Sequence, residues 1–416
     1  MVSADAEEVW VETGAGVTRR AAFVRFGGVL AGGMMASACG VRPGDGGGTS
    51  VAPGSIVTVV PPAPSLRSPE LVWRRQIGGV VSLAVSGDTV SVGAEGGSAS
   101  AEALDAATGM PRWSISGGSV RPLSVAFAAG GGMVLCSGVD ANGVDSITAV
   151  SAATGHLLWT APADVGNPNA GAGPWLIFAD AAVYALIGLP GSHAVYRDDV
   201  VLALDGRTGA RKWMSRLPPM ATAMAVADGV VYAGSALGSQ SVSGEVVALD
   251  GATGTRRWSA RVGAPVAALA VTGGVVAGCW DNLISPGQPL MYGLNAADGR
   301  ILWQRDLSVV LPIIAAADGL VFAAVNGGLL AVDALTGKLL WTGTAGGQTP
   351  NALDVAGDAV YVGFLNSVQA FSAQTGQALW SYPAEGLVTK LAGSGDTVFA
   401  TADPGGPGYT LYGLRG

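Results

Sequence analysis

An eleven-residue phrase occurs seven times in this chain, at 103–113, 149–159, 203–213, 248–258, 293–303, 331–341 and 370–380. Each copy opens with Ala or Gly, carries Gly at its seventh position and closes on Trp. The register inside the phrase is invariant. Spacing between copies is not: successive Trp residues stand 46 apart (Trp113, Trp159), 54 apart (Trp159, Trp213) and 38 apart (Trp303, Trp341). A rigid unit with elastic connections marks a repeat architecture, and this period suits propeller blades.

The centre of the phrase, as in Asp205-Gly206-Arg207-Thr208-Gly209, is turn chemistry, with Gly where a positive φ is needed. Apolar residues precede it and a short strand ending in Trp follows, so each copy reads as a β-hairpin. A second Asp/Gly turn lies upstream of every copy, as at Asp228-Gly229 and Gly357-Asp358. Two hairpins per repeat make a four-stranded antiparallel blade. Eight upstream hairpins accompany seven complete phrases. The missing half is supplied by the termini: Leu71-Val72-Trp73 is an outer strand without a hairpin, and the chain stops at Leu414-Arg415-Gly416. The expected fold is therefore an all-β, eight-bladed β-propeller closed by pairing of the N- and C-terminal strands, with seven blades as the alternative. Trp73, Trp113, Trp159, Trp213, Trp258, Trp303, Trp341 and Trp380 are the expected docking residues, each ring seated over a small residue.

Composition narrows the function. The net charge is −8 and no basic stripe is evident, which argues against nucleic acid as a partner. No run of eighteen apolar residues exists, so the high apolar content (49%) fits buried strands rather than a membrane span. The cysteines are Cys39, Cys136 and Cys279, and the histidines His156 and His193. Cys136 and Cys279 fall on distant blades and read as small buried residues, and no zinc-type cluster is present.

Residues 1–38 read as an export signal: Arg19-Arg20 precede a weakly apolar Gly/Ala-rich stretch that is too short to span a bilayer. Met35-Ala36-Ser37-Ala38-Cys39 resembles a bacterial lipobox with Ala36 where Leu is usual, so Cys39 is the expected lipidation site. Residues 39–69, rich in Gly, Pro and Ser, read as a tether, and 70–416 as the propeller. The expected location is extracytoplasmic, with membrane attachment through the lipid.

The phrase Ala-x-Asp-x-x-Thr-Gly-x-x-x-Trp resembles the tryptophan-docking repeat of the pyrroloquinoline quinone (PQQ)-like propeller superfamily. Its short repeats and terminal strands make the chain more similar to the non-catalytic, BamB-like lipoprotein branch. That resemblance implies a monomeric protein-binding scaffold without a cofactor. The catalytic branch implies a different site: an adjacent cysteine pair, calcium held by carboxylates and amides, and a catalytic Asp. No Cys-Cys occurs here, and Asp140, Asp198-Asp199 and Asp281-Asn282 read as loop or turn residues, so neither PQQ nor calcium is expected. An extracytoplasmic ligand sensor is the third reading.

Strand order puts the tight turns on one end of the ring and the variable connections on the other. The long ones are 139–145, 162–174, 188–199, 235–245, 282–289 and 403–408. A protein partner is expected at this loop-rich face, with Trp175, Tyr196 and Trp280 as anchor residues.

Overall fold

The computed structural model describes residues 66–416 apart from 80–81, 95–99, 117–126, 140–144, 164–174, 189–198, 219, 237–242, 281–289, 308–312, 326 and 407. The described elements are all strands, and they hydrogen-bond into seven antiparallel sheets. Sheets I to VI have four strands each and cover residues 82–116, 127–162, 175–216, 221–262, 268–306 and 313–344. Within each, the strands lie side by side in chain order. Sheet VII has six strands, ordered Glu70–Ile77, Tyr409–Arg415, Thr397–Asp403, Ala378–Ser394, Ala359–Ser372 and Ala352–Ala356. Its outer member is the N-terminal strand, paired with the C-terminal one from Glu70 opposite Arg415 to Ile77 opposite Tyr409.

The expectation of eight separate blades is thus corrected to a seven-bladed propeller whose last blade is oversized. The chain assigned from sequence to blades seven and eight forms one continuous sheet. Ala359–Ser372 pairs through its first half with Ala352–Ala356 and through its second with Ala378–Ser394. That 17-residue strand in turn continues past Gly386 to pair with Thr397–Asp403. Ladder hydrogen bonding runs through both places where a break was expected, because each bend is taken up by one residue at positive φ, Asn366 (67°) or Gly386 (104°).

The phrase folds as its spacing predicts. Asp105 Oδ1 accepts the Ala107 and Thr108 amides and the Thr108 hydroxyl, while the Gly109 amide donates to the Asp105 carbonyl at 2.8 Å. Asp250 and Asp333 bind Thr253 and Thr336 in the same way. The chain leaves the turn at Gly109, Gly209 or Gly254 with φ near 70° (68°, 70° and 71°).

The first and last phrase residues sit opposite each other on adjacent strands, as Ala203 does to Trp213 and Ala248 to Trp258. On the far side of the small residue stands an aromatic from the second strand: Tyr184 faces Ala203 and Tyr232 faces Ala248. With no bulk between them, the two rings meet at 5.9 Å in both sheets, and Phe322–Trp341, Tyr361–Trp380 and Phe399–Trp73 repeat the contact.

Seven of the eight docking Trp residues also reach the next sheet. The indole N–H groups of Trp73, Trp113, Trp159, Trp213, Trp258, Trp303 and Trp341 donate to the carbonyls of Ala106, Ala152, Gly206, Gly251, Ala296, Ala334 and Ala373, at 2.7–3.1 Å. Seven bonds join seven sheets in a circle, and Trp73 makes the step from sheet VII to sheet I. Trp380 instead lies against Gly416 inside sheet VII. The rings rest on the phrase glycines: a Cβ on Gly209 would stand 2.6 Å from the Trp159 ring, and one on Gly254 would stand 2.6 Å from Trp213. The core is accordingly found between sheets. One cluster joins Tyr184, Val201 and Trp213 to Met224, Val231 and Val247, and another joins Trp73, Leu83 and Val90 to Phe399 and Leu411.

Trp258 is 9% exposed, and burying such a ring is worth about 4–6 kcal/mol at most. Trp258→Ala is expected to cost about 3–5 kcal/mol in chemical denaturation. Gly254→Ala, which puts a methyl into the Trp213 ring at a positive φ, is expected to cost about 2 kcal/mol or more. Either variant unfolding together with the parent would contradict this packing.

Candidate partner-binding face

The turns within hairpins gather on one end of the ring, and the connections between second and third strands and between sheets gather on the other. The second end is the candidate face. Most of its long connections, with Tyr196, His193, Asp140, Asp198, Asp281 and Asn282, lie outside the described residues, as do Arg19, Arg20 and Cys39. What is described is the rigid base on which those connections stand.

Of the three expected anchors, Trp175 opens the strand Trp175–Ala179, its backbone paired with Leu186. Trp280 closes the strand Val275–Trp280 opposite Leu290. Its ring is 9% exposed and packs with Ala264, Ala267 and Leu290, so it fills the base of a connection rather than standing out from it. The structure does not bring Trp175 and Trp280 together; they belong to sheets III and V.

Polar groups at this base tie neighbouring sheets. Asp199, 2% exposed at the start of its strand, accepts the Ala221 amide from sheet IV with Oδ2. The Thr222 hydroxyl donates to the Val266 carbonyl of sheet V. Nearer the hairpin turns, within sheet VII, Asp354 Oδ2 accepts the Gly393 amide at 2.6 Å. These carboxylates are consumed by backbone amides, which suits a structural brace better than an acid or base.

On the opposite end two arginines pair with carboxylates of the turns. Arg112 bridges Asp88 and Asp105 at 2.6 and 2.7 Å, and Arg257 meets Asp250 at 2.6 Å. Hydrogen bonds from Arg112, then Thr108, pull the Asp105 carboxyl down to about 2; those from Arg257, then Thr253, do the same for Asp250. Burial pushes the Cys136 thiol up to about 12, so neither this cysteine nor the fully buried Cys279 has the environment of a nucleophile. Neither is in a disulfide among the described residues. His156 is an exposed turn residue whose carbonyl accepts the Ser151 amide.

Two features escaped sequence reasoning. The second-strand aromatics Tyr184, Tyr232, Phe322, Tyr361 and Phe399 touch a docking Trp, and their signal was the position three residues after the upstream turn, which holds Ser91 and Leu135 in sheets I and II. In sheet V that position holds Ala277, and the aromatic has moved to Tyr292, whose ring covers Gly278. The Tyr292 hydroxyl is fully buried without a hydrogen-bond partner among the described residues, and burial holds its pKa well above the usual phenol range.

A quinone cofactor with calcium would need a set of carboxylate and amide donors. Among the described residues no three His, Cys, Asp or Glu side chains converge as metal ligands, and the three cysteines are far apart in sequence.

A family model described as "Outer membrane protein assembly factor BamB" matches residues 63–194, 97–278, 197–313 and 290–408. No curated protein matches the chain. Among solved structures, the computationally designed Ika8 protein is similar with a TM-score of 0.65 and 18% identity, covering 84% of this chain and all of that one. BamB from Moraxella catarrhalis gives 0.57 and 16%, covering 84% and 100%. Quinohemoprotein alcohol dehydrogenase ADHIIG from Pseudomonas putida HK5 gives 0.58 and 16%, covering 83% and 76%. At such identities the likeness is one of fold.

Depressed carboxyl pKa values make folding pH-dependent with a defined sign. Asp105 and Asp250 contribute stability that is fully present above about pH 4 and lost as pH falls through about 2. A melting profile should therefore fall between pH 4 and 2, and Asp105→Asn should flatten that limb while lowering the melting temperature at neutral pH. Superimposable profiles for parent and variant would contradict the assignment.

Proposed function

The chain belongs to the family of PQQ-like β-propellers described as outer membrane protein assembly factor BamB, and from that premise we propose that it is an exported scaffold protein of the cell envelope. It is held at a membrane by a lipid on Cys39, after export directed by Arg19 and Arg20, and it presents its loop-bearing face to a protein partner. One observation carries this reading: a ring joined sheet to sheet by Trp bonds holds its long connections on a single end. Such a scaffold presents loops in fixed relative positions, which is what recognition requires. The base of that face is braced by Asp199 and Thr222, whose side chains are occupied by backbone groups. Catalysis through a quinone has no donor set among the described residues to support it.

Two measurements test the proposal. Cys39→Ser should move the protein from the membrane to the soluble fraction of cells extracted in high salt; retention on the membrane would reject the lipid anchor. Replacing residues 164–174 by a short Gly/Ser linker should abolish crosslinks to the partner in intact cells while leaving the melting temperature within about 1 °C. Unchanged crosslinks would reject this face as the binding surface. Dye reduction by alcohols after adding PQQ and Ca²⁺ would instead make the chain an enzyme.

A further inference from the structure

Positive charge is not spread evenly over this acidic chain. Residues 206–216 carry Arg207, Arg211, Lys212 and Arg216, and residues 251–261 carry Arg256, Arg257 and Arg261, with no acidic residue in either segment. Seven cations thus fall within twenty-two residues of a protein whose net charge is −8. The two segments are the same part of neighbouring sheets: the phrase turn and the outermost strand, Arg211–Arg216 in sheet III and Arg256–Val262 in sheet IV.

They form one surface. Trp213 donates to the Gly251 carbonyl at 2.9 Å and Ser215 to the Gly254 carbonyl at 2.5 Å, so the outer strand of sheet III lies directly against the turn of sheet IV. Trp258 makes the equivalent bond to Ala296, which brings exposed Arg300 to the far border. All seven cations are exposed, and among the described residues only Arg257 has an ion-pair partner, Asp250. Apolar side chains bracket the patch. Leu157 (65% exposed) and Leu158 (49%) stand on the outer strand of sheet II, Met214 (42%) within the patch, and Ile301 (42%) on sheet V.

Charge on an outer strand has an ordinary use, since it stops sheet edges from pairing with other chains. That use does not account for this arrangement. The outer strands of sheets II and VI, Leu157–Pro162 and Leu339–Thr344, begin with Leu157-Leu158 and Leu339-Leu340 and carry no charged residue at all, and that of sheet V offers one cation and one acid, Arg305 and Asp306. Cations flanked by exposed aliphatic side chains on a convex rim match a bilayer interface, where anionic headgroups overlie hydrocarbon.

We propose that the outer rim of sheets III and IV is a membrane-contact surface that binds anionic phospholipid headgroups, setting the ring edge-on to the bilayer. This goes beyond the scaffold reading and does not require a protein partner.

The test uses the full chain carrying Cys39→Ser, so that no lipid anchor contributes. It measures co-sedimentation with vesicles of phosphatidylcholine alone or with about 30 mol% phosphatidylglycerol. Binding is expected only with the anionic lipid, at about 0.1 M salt, and should disappear near 0.5 M. The variant R211E/K212E/R256E/R261E should bind at least about tenfold more weakly, and so should the charge-neutral R211Q/K212Q/R256Q/R261Q, with melting temperatures confirming that both fold. Absence of binding by the unsubstituted rim, equal binding by the variants, or equal binding to neutral vesicles would overturn the proposal. Preference for polyglutamate over anionic vesicles at the same salt would also overturn it, assigning the rim to an acidic protein. None of these outcomes depends on the loop-bearing face.

Discussion

The hydrogen bond from the indole of seven docking Trp residues to a turn carbonyl of the next sheet is the interaction on which this architecture rests. A ring so placed must satisfy two neighbours at once. Its own sheet has to offer a small residue, Ala or Gly, so that the indole can lie flat against the adjacent strand. The next sheet has to offer a Cβ-free turn residue at positive φ, because a methyl on Gly209 or Gly254 would sit inside the ring's van der Waals surface. The invariant register of the phrase follows from these two demands, since one inserted residue would rotate the Trp to the other side of its strand. The connections carry no such demand, and their lengths vary freely.

The same geometry explains which parts of the fold were legible. Phrase spacing fixed the antiparallel hairpins, and the orphan Trp73 with the truncated Leu414-Arg415-Gly416 pointed to terminal closure, which the pairing of Glu70–Ile77 with Tyr409–Arg415 displays. The number of blades was misread. Sequence punctuation suggested a boundary, but Asn366 and Gly386 turn the chain while the ladder runs on through Ala359–Ser372 and Ala378–Ser394. The anchor expectation for Trp280 relied on its place beside a long connection; burial among Ala264, Ala267 and Leu290 depends on what that connection covers, which spacing does not encode. A net charge of −8 likewise concealed the rim, because seven cations in two segments vanish in a sum over the chain.

Function on this scaffold is divided by position. The inner strands and the spaces between sheets are spent on packing, and the buried carboxylates Asp199 and Asp354 are spent on backbone amides. The end that bears the long connections and the outer rim are not committed to that packing, and they are the surfaces to which the proposals above assign contacts. That division makes the family's fold usable for both binding and catalysis, and it makes the residues outside the core the ones that distinguish its members.

The central claim is that the circle is closed through the two termini. Gln76 and Thr410 stand opposite each other across that closure, with their side chains hydrogen-bonded at 2.8 Å. Cysteines introduced at both positions should form an intramolecular disulfide under mild oxidation, protecting the ring against thermal unfolding. Free thiols under those conditions, or crosslinks only between separate molecules, would show an open ring and contradict the account.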